Sequence, residues 1–153
     1  MTEMVRTTAE RTADTRARLE GDADAWVATA DHGNVHLVPL SLAWDGTSVI
    51  LATPATTPTA RNASATGEAR LALGTTRDVT IMDTVTRVVP CGGAEASIAE
   101  CYAARTGWDP RQEDEEFVYL VATPRTVQTW RSLAEINGRT IMRGGEWAQP
   151  GAT

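Results

Sequence analysis

A threonine-rich stretch near the middle of the chain has the composition of an anion-binding site. It reads Thr53-Pro54-Ala55-Thr56-Thr57-Pro58-Thr59-Ala60-Arg61-Asn62. If Thr57 caps a helix, Pro58 takes the first helical position, and the amides of Thr59 and Ala60 point freely out of the helix end. Such amides and hydroxyls donate hydrogen bonds to phosphate, and Arg61 would add charge-assisted bonds. The same pattern also fits an ordinary capped helix whose arginine is solvated.

Other chemically reactive side chains are few and dispersed. The two cysteines, Cys91 and Cys101, and the two histidines, His32 and His36, lack the spacing of a zinc site, so we expect no metal. Both cysteines are interpreted as small buried or strand-end residues. The sequence contains neither paired carboxylates nor a Ser/His/Asp set, and we assign no catalytic residue. That absence is expected of a protein whose cofactor carries the chemistry, and equally of a binding module.

The composition limits the partners of the chain. Its 153 residues carry a net charge of −6, because 14 basic residues, all of them arginine, face 20 acidic residues. An acidic surface without a basic block argues against nucleic acid or an anionic membrane as a partner. The sequence has no apolar run of about 18 residues and no signal peptide at its N-terminus, so we predict a cytoplasmic protein.

The N-terminal segment predicts a helix that covers one edge or end of the fold. Thr7 and Glu10 have capping-box spacing, and the helix runs over about residues 8–20. Its buried stripe would consist of small residues, namely Ala9, Ala13 and Ala17. The predicted organisation is an arm and helix at 1–21, one domain at 22–147 and a flexible tail at 148–153.

From residue 25 onwards the pattern becomes that of β-strands. Asp45-Gly46 between two apolar runs is a strong hairpin signal. In Val35–Leu42 both faces are apolar, as in a barrel wall that also meets a partner subunit. The pattern predicts a mainly β protein, an antiparallel barrel of about six strands with helices at its ends. The predicted strands are 25–30, 35–44, 47–53, 68–73, 77–89, 117–130 and 139–142, and the later helices are 58–66 and 94–105.

Two segments of the sequence resemble a known family. The first is the string from His36 to Gly46, with Thr53 and the motif Thr57-x-x-x-Arg61-Asn62 after it. The second is Val127-Gln128-Thr129-Trp130-Arg131, followed by Arg139 and Gly144-Gly145-Glu146-Trp147. Together they resemble the pyridoxamine 5'-phosphate oxidase-like family, more closely its flavin/deazaflavin oxidoreductase branch. The resemblance implies a six-stranded split β-barrel that forms a homodimer, with the cofactor at the subunit interface.

The resemblance also implies which residues hold the cofactor. The family's Ser/Thr-x-Lys-x-Arg phosphate pattern falls on Thr57, Thr59 and Arg61, so the lysine of the pattern is replaced here by Thr59. In the family, backbone of the strand that matches Val38–Ser41 runs beside the ring, and a C-terminal Trp and Arg reach the cofactor from the other subunit. The implied cofactor-binding residues are Val38, Pro39, Leu40, Ser41, Thr53, Thr57, Thr59, Arg61, Asn62, Trp130 and Arg139.

The function that the resemblance implies is hydride transfer between a cofactor ring and a small organic substrate. The cofactor would be FMN or the deazaflavin coenzyme F-420. Either one carries its own hydride chemistry, so the protein need only bind, orient and desolvate the ring. Two other classes stay open: a non-catalytic flavin carrier or haem-binding split barrel, and a plain dimeric interaction domain. Redox turnover separates the enzyme from the carrier, and an interaction domain would bind neither cofactor.

Overall fold

A computed structural model describes residues 4–21 and 23–150 of the protein. The helices in this part of the chain are α1 (Thr8–Gly21), α2 (Pro58–Thr66) and α3 (Ala96–Thr106). The strands are β1 (Asp24–Asp31), β2 (Asn34–Trp44), β3 (Val49–Pro54), β4 (Glu68–Thr75), β5 (Asp78–Pro90), β6 (Phe117–Trp130), β7 (Thr140–Arg143) and β8 (Glu146–Trp147).

Six of these strands close into an antiparallel barrel. Their order is β3-β2-β1-β4-β5-β6, and β3 then pairs with β6, so that Leu51 lies opposite Leu120. β7 and β8 form a hairpin that extends the sheet beyond β6. The expectation of a mainly β, six-stranded antiparallel barrel with flanking helices is confirmed.

Successive residues on each strand face the inside and the outside of the barrel. Val27, Leu71, Met82 and Val127 are aligned across β1, β4, β5 and β6, and each is 0% exposed. These residues form part of the main core. The residues next to these on their strands face outwards and are aligned with Pro39 of β2. We call this aligned set across five strands the outer row: Pro39, Trp26, Ala72, Ile81 and Gln128.

A second, smaller core lies between the barrel wall and α3. Ile98 and Tyr102 of α3 pack against Ile50 of β3 and Tyr119 of β6, and all four residues are buried. Alternate residues of β3 and β6 face the main core instead. These two strands are therefore covered on both sides.

The N-terminal helix forms, but its buried face was wrongly predicted. Ala9, Ala13 and Ala17 are exposed, and the buried side chains are Arg11, Thr15 and Leu19. Arg11 tolerates burial because its guanidinium donates to the backbone carbonyls of Glu135, at 2.9 Å, and Asn137, at 3.4 Å. The alanine pattern carried no sign of these long-range acceptors.

Several local predictions can be checked at the ends of elements. The capping box is confirmed, since the Thr7 amide donates to Glu10 at 2.7 Å and the Glu10 amide donates to Thr7 Oγ1 at 3.2 Å. α3 begins at Ala96, two residues later than expected. The segment 148–153 was expected to be a flexible tail, but its first residue is bonded to the sheet: the Ala148 amide donates to the Ile141 carbonyl at 2.8 Å. Calls on residues 1–3, 22 and 151–153 lie outside the described residues.

None of the described helices is both long and apolar enough to span a bilayer.

Candidate functional site

Thr57 caps α2 as the sequence predicts. Its Oγ1 accepts a hydrogen bond from the Ala60 amide at 3.2 Å, and Pro58 occupies the start of the helix. This bond uses the Ala60 amide, so the expectation that both the Thr59 and Ala60 amides point freely outwards was wrong for Ala60. The cap has taken one of the donors that a phosphate would need.

The hydroxyls around this helix end bond to one another and to the backbone. Thr53 Oγ1 and Thr57 Oγ1 are hydrogen-bonded at 3.0 Å. The Thr57 hydroxyl is within donating distance, 3.1 Å, of the Pro54 carbonyl. Thr59 is only 1% exposed, whereas Arg61 is exposed. Two residues along a helix point in nearly opposite directions. The three members of the proposed phosphate pattern are therefore close in sequence but do not present their side chains to one common surface.

Arg61 is exposed at this end of the barrel. Its guanidinium donates one hydrogen bond to the Thr56 carbonyl. The other N–H groups of the guanidinium are left for other acceptors. It lines a depression of about 400 Å³ together with Ser64 and Val88. The neighbouring Asn62 donates from Nδ2 to Thr29 Oγ1 at 3.2 Å and so fastens α2 to the end of β1.

The predicted ring-side strand, Val38–Ser41, lies in the half of β2 that the described chain leaves open. Val38 and Leu40 are half-buried, while Pro39 and Ser41 are exposed. Further along the same outward side, Val35 is 75% exposed and Leu37 is 57% exposed. The apolar outer side of β2 is thus present as predicted, without a cover within the described chain.

Trp130 and Arg139 lie together at a different place from α2. Trp130 ends β6 and is half-buried. The Arg139 carbonyl accepts from the neighbouring Thr129 amide at 2.8 Å. At the other end of β6, Phe117 pairs with Pro54, just before α2. The strand has 14 residues and a register irregularity where it passes Asp83 and Thr84 of β5, so it bends rather than running straight. Trp130 and Arg139 lie at the opposite end of β6 from the segment that leads to Arg61.

A cavity that the sequence did not reveal lies beside Arg139. Its volume is about 690 Å³. Arg143 and Gln128 were missed as candidates because they line the cavity only after the β7–β8 hairpin folds back on β6. The spacing of Arg139 and Arg143, four residues apart with one just before β7 and the other at its end, was the available signal. The side chains that define this cavity here are those of Gln128, Arg139, Thr140, Arg143, Glu146 and Trp147.

A buried carboxylate holds the turn that leads to Arg139. Glu135 is 2% exposed and accepts from Arg6 Nη2 at 2.8 Å, Arg6 Nε at 3.0 Å and the Arg131 amide at 2.9 Å. The hydrogen bonds from Arg6 lower the pKa of Glu135 to about 2. Arg139 in turn donates to the Ile136 carbonyl at 2.9 Å. The N-terminal arm is therefore tied to the wall of the Arg139 cavity.

Comparison with known proteins supports the barrel architecture. No protein-family model matches the chain, and no curated protein matches it. A putative pyridoxamine 5'-phosphate oxidase from Listeria innocua superimposes with a TM-score of 0.64 at 13% identity, covering 78% of this chain and 98% of that one. An F-420 reductase gives 0.59 at 16% identity, covering 73% of this chain and 94% of that one.

The fold is that of the pyridoxamine 5'-phosphate oxidase-like proteins. A haem-binding protein from Mycobacterium smegmatis shares it too, with a TM-score of 0.64 at 14% identity, covering 94% of this chain and 60% of that one. Structural matches at identities this low establish the split-barrel fold and not an activity. The resemblance noted from the sequence is confirmed at that level.

Proposed function

We propose that this split-barrel protein is an oxidoreductase that uses FMN or the deazaflavin coenzyme F-420. It would transfer hydride between the cofactor ring and a small organic substrate, as a cytoplasmic homodimer with the cofactor at the subunit interface. The shared fold of an F-420 reductase and a putative pyridoxamine 5'-phosphate oxidase supports this proposal.

One observation carries the proposal: Arg61 on one side and Trp130 and Arg139 on the other lie near opposite ends of β6, and apolar side chains are exposed on the barrel exterior. Trp26 in the outer row is 50% exposed, and Val85, on the outward side of β5, is 57% exposed. An apolar surface of this kind marks an interaction site. A second copy packed on this face by two-fold symmetry would bring the partner subunit's Trp130 towards Arg61.

The residues present are compatible with a phosphorylated ring cofactor. Arg61 is exposed and has N–H groups beyond its bond to Thr56, so it can hold a phosphate. Pro39 and Ser41 are exposed on β2, where the backbone would run beside the ring. A bound flavin or deazaflavin would supply the hydride chemistry. The task of this chain is to hold the phosphate, orient the ring and exclude water from it.

Cofactor titration tests the proposal. Purified protein is titrated with FMN and with F-420 while the fluorescence of each is followed, and the preferred cofactor is then reduced and offered quinone-type acceptors. Saturable binding with enzyme-dependent oxidation of the reduced cofactor supports the oxidoreductase. Binding without turnover would identify a carrier, and the absence of binding to both cofactors would refute the proposal.

The likeness to a haem-binding protein favours a second candidate, a haem-binding split barrel. Titration with haemin distinguishes this candidate, because ligation changes the absorption spectrum of haem. Binding of FMN or F-420 is independent of that signal. A stoichiometric haem spectrum from a protein that ignores FMN and F-420 would favour this candidate over the oxidoreductase.

A further inference from the structure

The lining of the cavity beside β7 carries two arginines and one glutamate. Arg139 and Arg143 both line it, and neither guanidinium forms an ion pair with a carboxylate in the described part of the chain. Some arginines elsewhere, such as Arg70 and Arg111, are paired with an aspartate, whereas exposed ones such as Arg61 have no carboxylate partner among the described residues. What distinguishes Arg139 and Arg143 is that both line one cavity, and in a chain with a net charge of −6 this indicates a place for an external anion.

One acidic side chain also lines this cavity. Glu146 lies opposite Arg143 across the β7–β8 hairpin, but its carboxylate is not in ion-pair contact with either arginine. It would compete with an anionic ligand through charge repulsion and through attraction to Arg143. Neutralising Glu146 should therefore have the opposite effect to removing Arg143.

Two polar side chains of the cavity are held in place before any ligand arrives. Arg139 is half-buried and is anchored to the Ile136 carbonyl, and Gln128 donates from Nε2 to Thr140 Oγ1 at 3.2 Å. Trp147 forms an aromatic wall, and the Arg16 guanidinium lies 5.0 Å from its ring centroid. An anchored cation and an exposed one, Arg143, beside an aromatic wall suit an organic molecule that carries an acid group.

The position of the cavity relates it to the proposed cofactor site. Gln128 is the last residue of the outer row, which begins at Pro39 on the proposed ring-side strand. Neighbouring strands are separated by about 4.8 Å, so this row spans about 19 Å from β2 to β6. Because the six strands close into a barrel, this row turns around it, and a molecule bound by Arg139 and Arg143 would lie four strands along the row from the proposed ring-side strand.

We propose that this cavity binds the acid group, a carboxylate or a phosphate, of a small organic molecule, with Arg143 as the residue that selects for its charge. The assignment of this molecule as the substrate rests on the proposed function. The charge selection itself does not, because every group that provides it belongs to a single chain.

Calorimetric titration of the cofactor-free protein tests the charge selection. The probes are benzoate, phenyl phosphate and the neutral benzamide. We expect one or both anions to bind and benzamide to bind at least about tenfold more weakly, the difference that one charge-assisted contact contributes. Arg143→Ala should weaken anion binding by about tenfold, and Glu146→Gln should strengthen it. Arg77→Ala, in the exposed turn between β4 and β5, removes the same charge outside the cavity and should change nothing.

The outcomes separate this inference from the proposed function. Equal binding of benzoate and benzamide, no binding of either anion, or equal losses in Arg143→Ala and Arg77→Ala would overturn it. If the wild-type protein binds the anions but neither FMN nor F-420, the anion site stands and the proposed function fails. If Arg143→Ala weakens FMN binding as much as phenyl phosphate binding, the cavity holds the cofactor's phosphate, and the substrate assignment is overturned.

Discussion

Arg61 and Arg139 belong to two regions at opposite ends of β6 that are built in different ways. Around Arg61, neighbours in sequence satisfy one another: Thr57 caps its own helix, and Arg61 donates to Thr56, five residues away. Around Arg139, the support comes from Arg6, which reaches Glu135 across 129 residues of sequence. The first region is local and open, whereas the second is fixed by contacts between the chain's two ends. Substitution of Arg61 should therefore affect ligand binding, whereas loss of Glu135 should affect folding.

The largest effect should follow the loss of the Glu135 carboxylate. Glu135→Ala leaves Arg6 without its main acceptor and the Arg131 amide unbonded. Breaking a buried ion pair from one side costs about 3–5 kcal/mol, so urea unfolding should show a loss of that size. Leu133→Ala in the same turn is the control: Leu133 is 88% exposed, and the change should stay within about 0.5 kcal/mol. Similar midpoints for the two variants would contradict the described role of Glu135.

Acid should weaken the same region specifically. The folded protein lowers the pKa of Glu135 from 4.5 to about 2, so its contribution is complete above pH 4.5 and is lost as the pH falls towards 2. The difference in unfolding free energy between the wild-type protein and Glu135→Gln should shrink by about 3 kcal/mol over this range. Urea titrations at several pH values measure it. A difference that does not change with pH would show that the carboxylate's charge contributes nothing.

The face that joins the two regions should respond to a charge at Trp26. Trp26→Glu places a carboxylate in the middle of the exposed apolar row, and aromatic residues at the centre of an interface contribute about 2 kcal/mol or more. We expect the variant to be monomeric by light scattering at concentrations where the wild-type protein is dimeric. Leu133→Glu adds the same charge at another exposed site and should leave the dimer intact. A wild-type protein that is itself monomeric would contradict the proposed assembly.

A smaller effect is expected at the open end of the barrel. Arg61→Ala should weaken cofactor binding by about 1.5–3 kcal/mol, the usual contribution of a charge-assisted hydrogen bond. Stability should hardly change, because Arg61 is exposed. Fluorescence titration of this variant against Arg77→Ala measures the difference. Unchanged affinity would argue strongly against a phosphate at the start of α2.

The Arg61 and Arg139 regions differ in how much of their structure the sequence could predict. The barrel and the cap at Thr57 were predictable because alternation, turn residues and helix caps are local signals. The resemblance then placed Trp130 and Arg139, but the sequence did not show that β6 separates them from Arg61. That separation depends on the register of β6 with β3 and β5, which no local pattern determines.

Two features escaped prediction because they depend on contacts between distant residues. The buried face of α1 was assigned to alanines, although Arg11 is buried there by carbonyls more than a hundred residues away. The cavity with Arg143 forms only where the last hairpin folds against β6. Arg11, a charged side chain that a periodicity argument places in solvent, is buried in a pocket made by the other end of the chain. Arg143 stays exposed, and apart from Thr8 the cavity that it lines is made by residues between 128 and 148.

The closure of the barrel by β3 and β6 has a consequence for how the molecule unfolds. Val49 and Leu51 face the main core, while Ile50 and Ala52 face the core under α3. Since each strand contributes to both cores, separating β3 from β6 would open both cores at once. We therefore expect the two hydrophobic clusters to melt in a single cooperative transition when this seam opens.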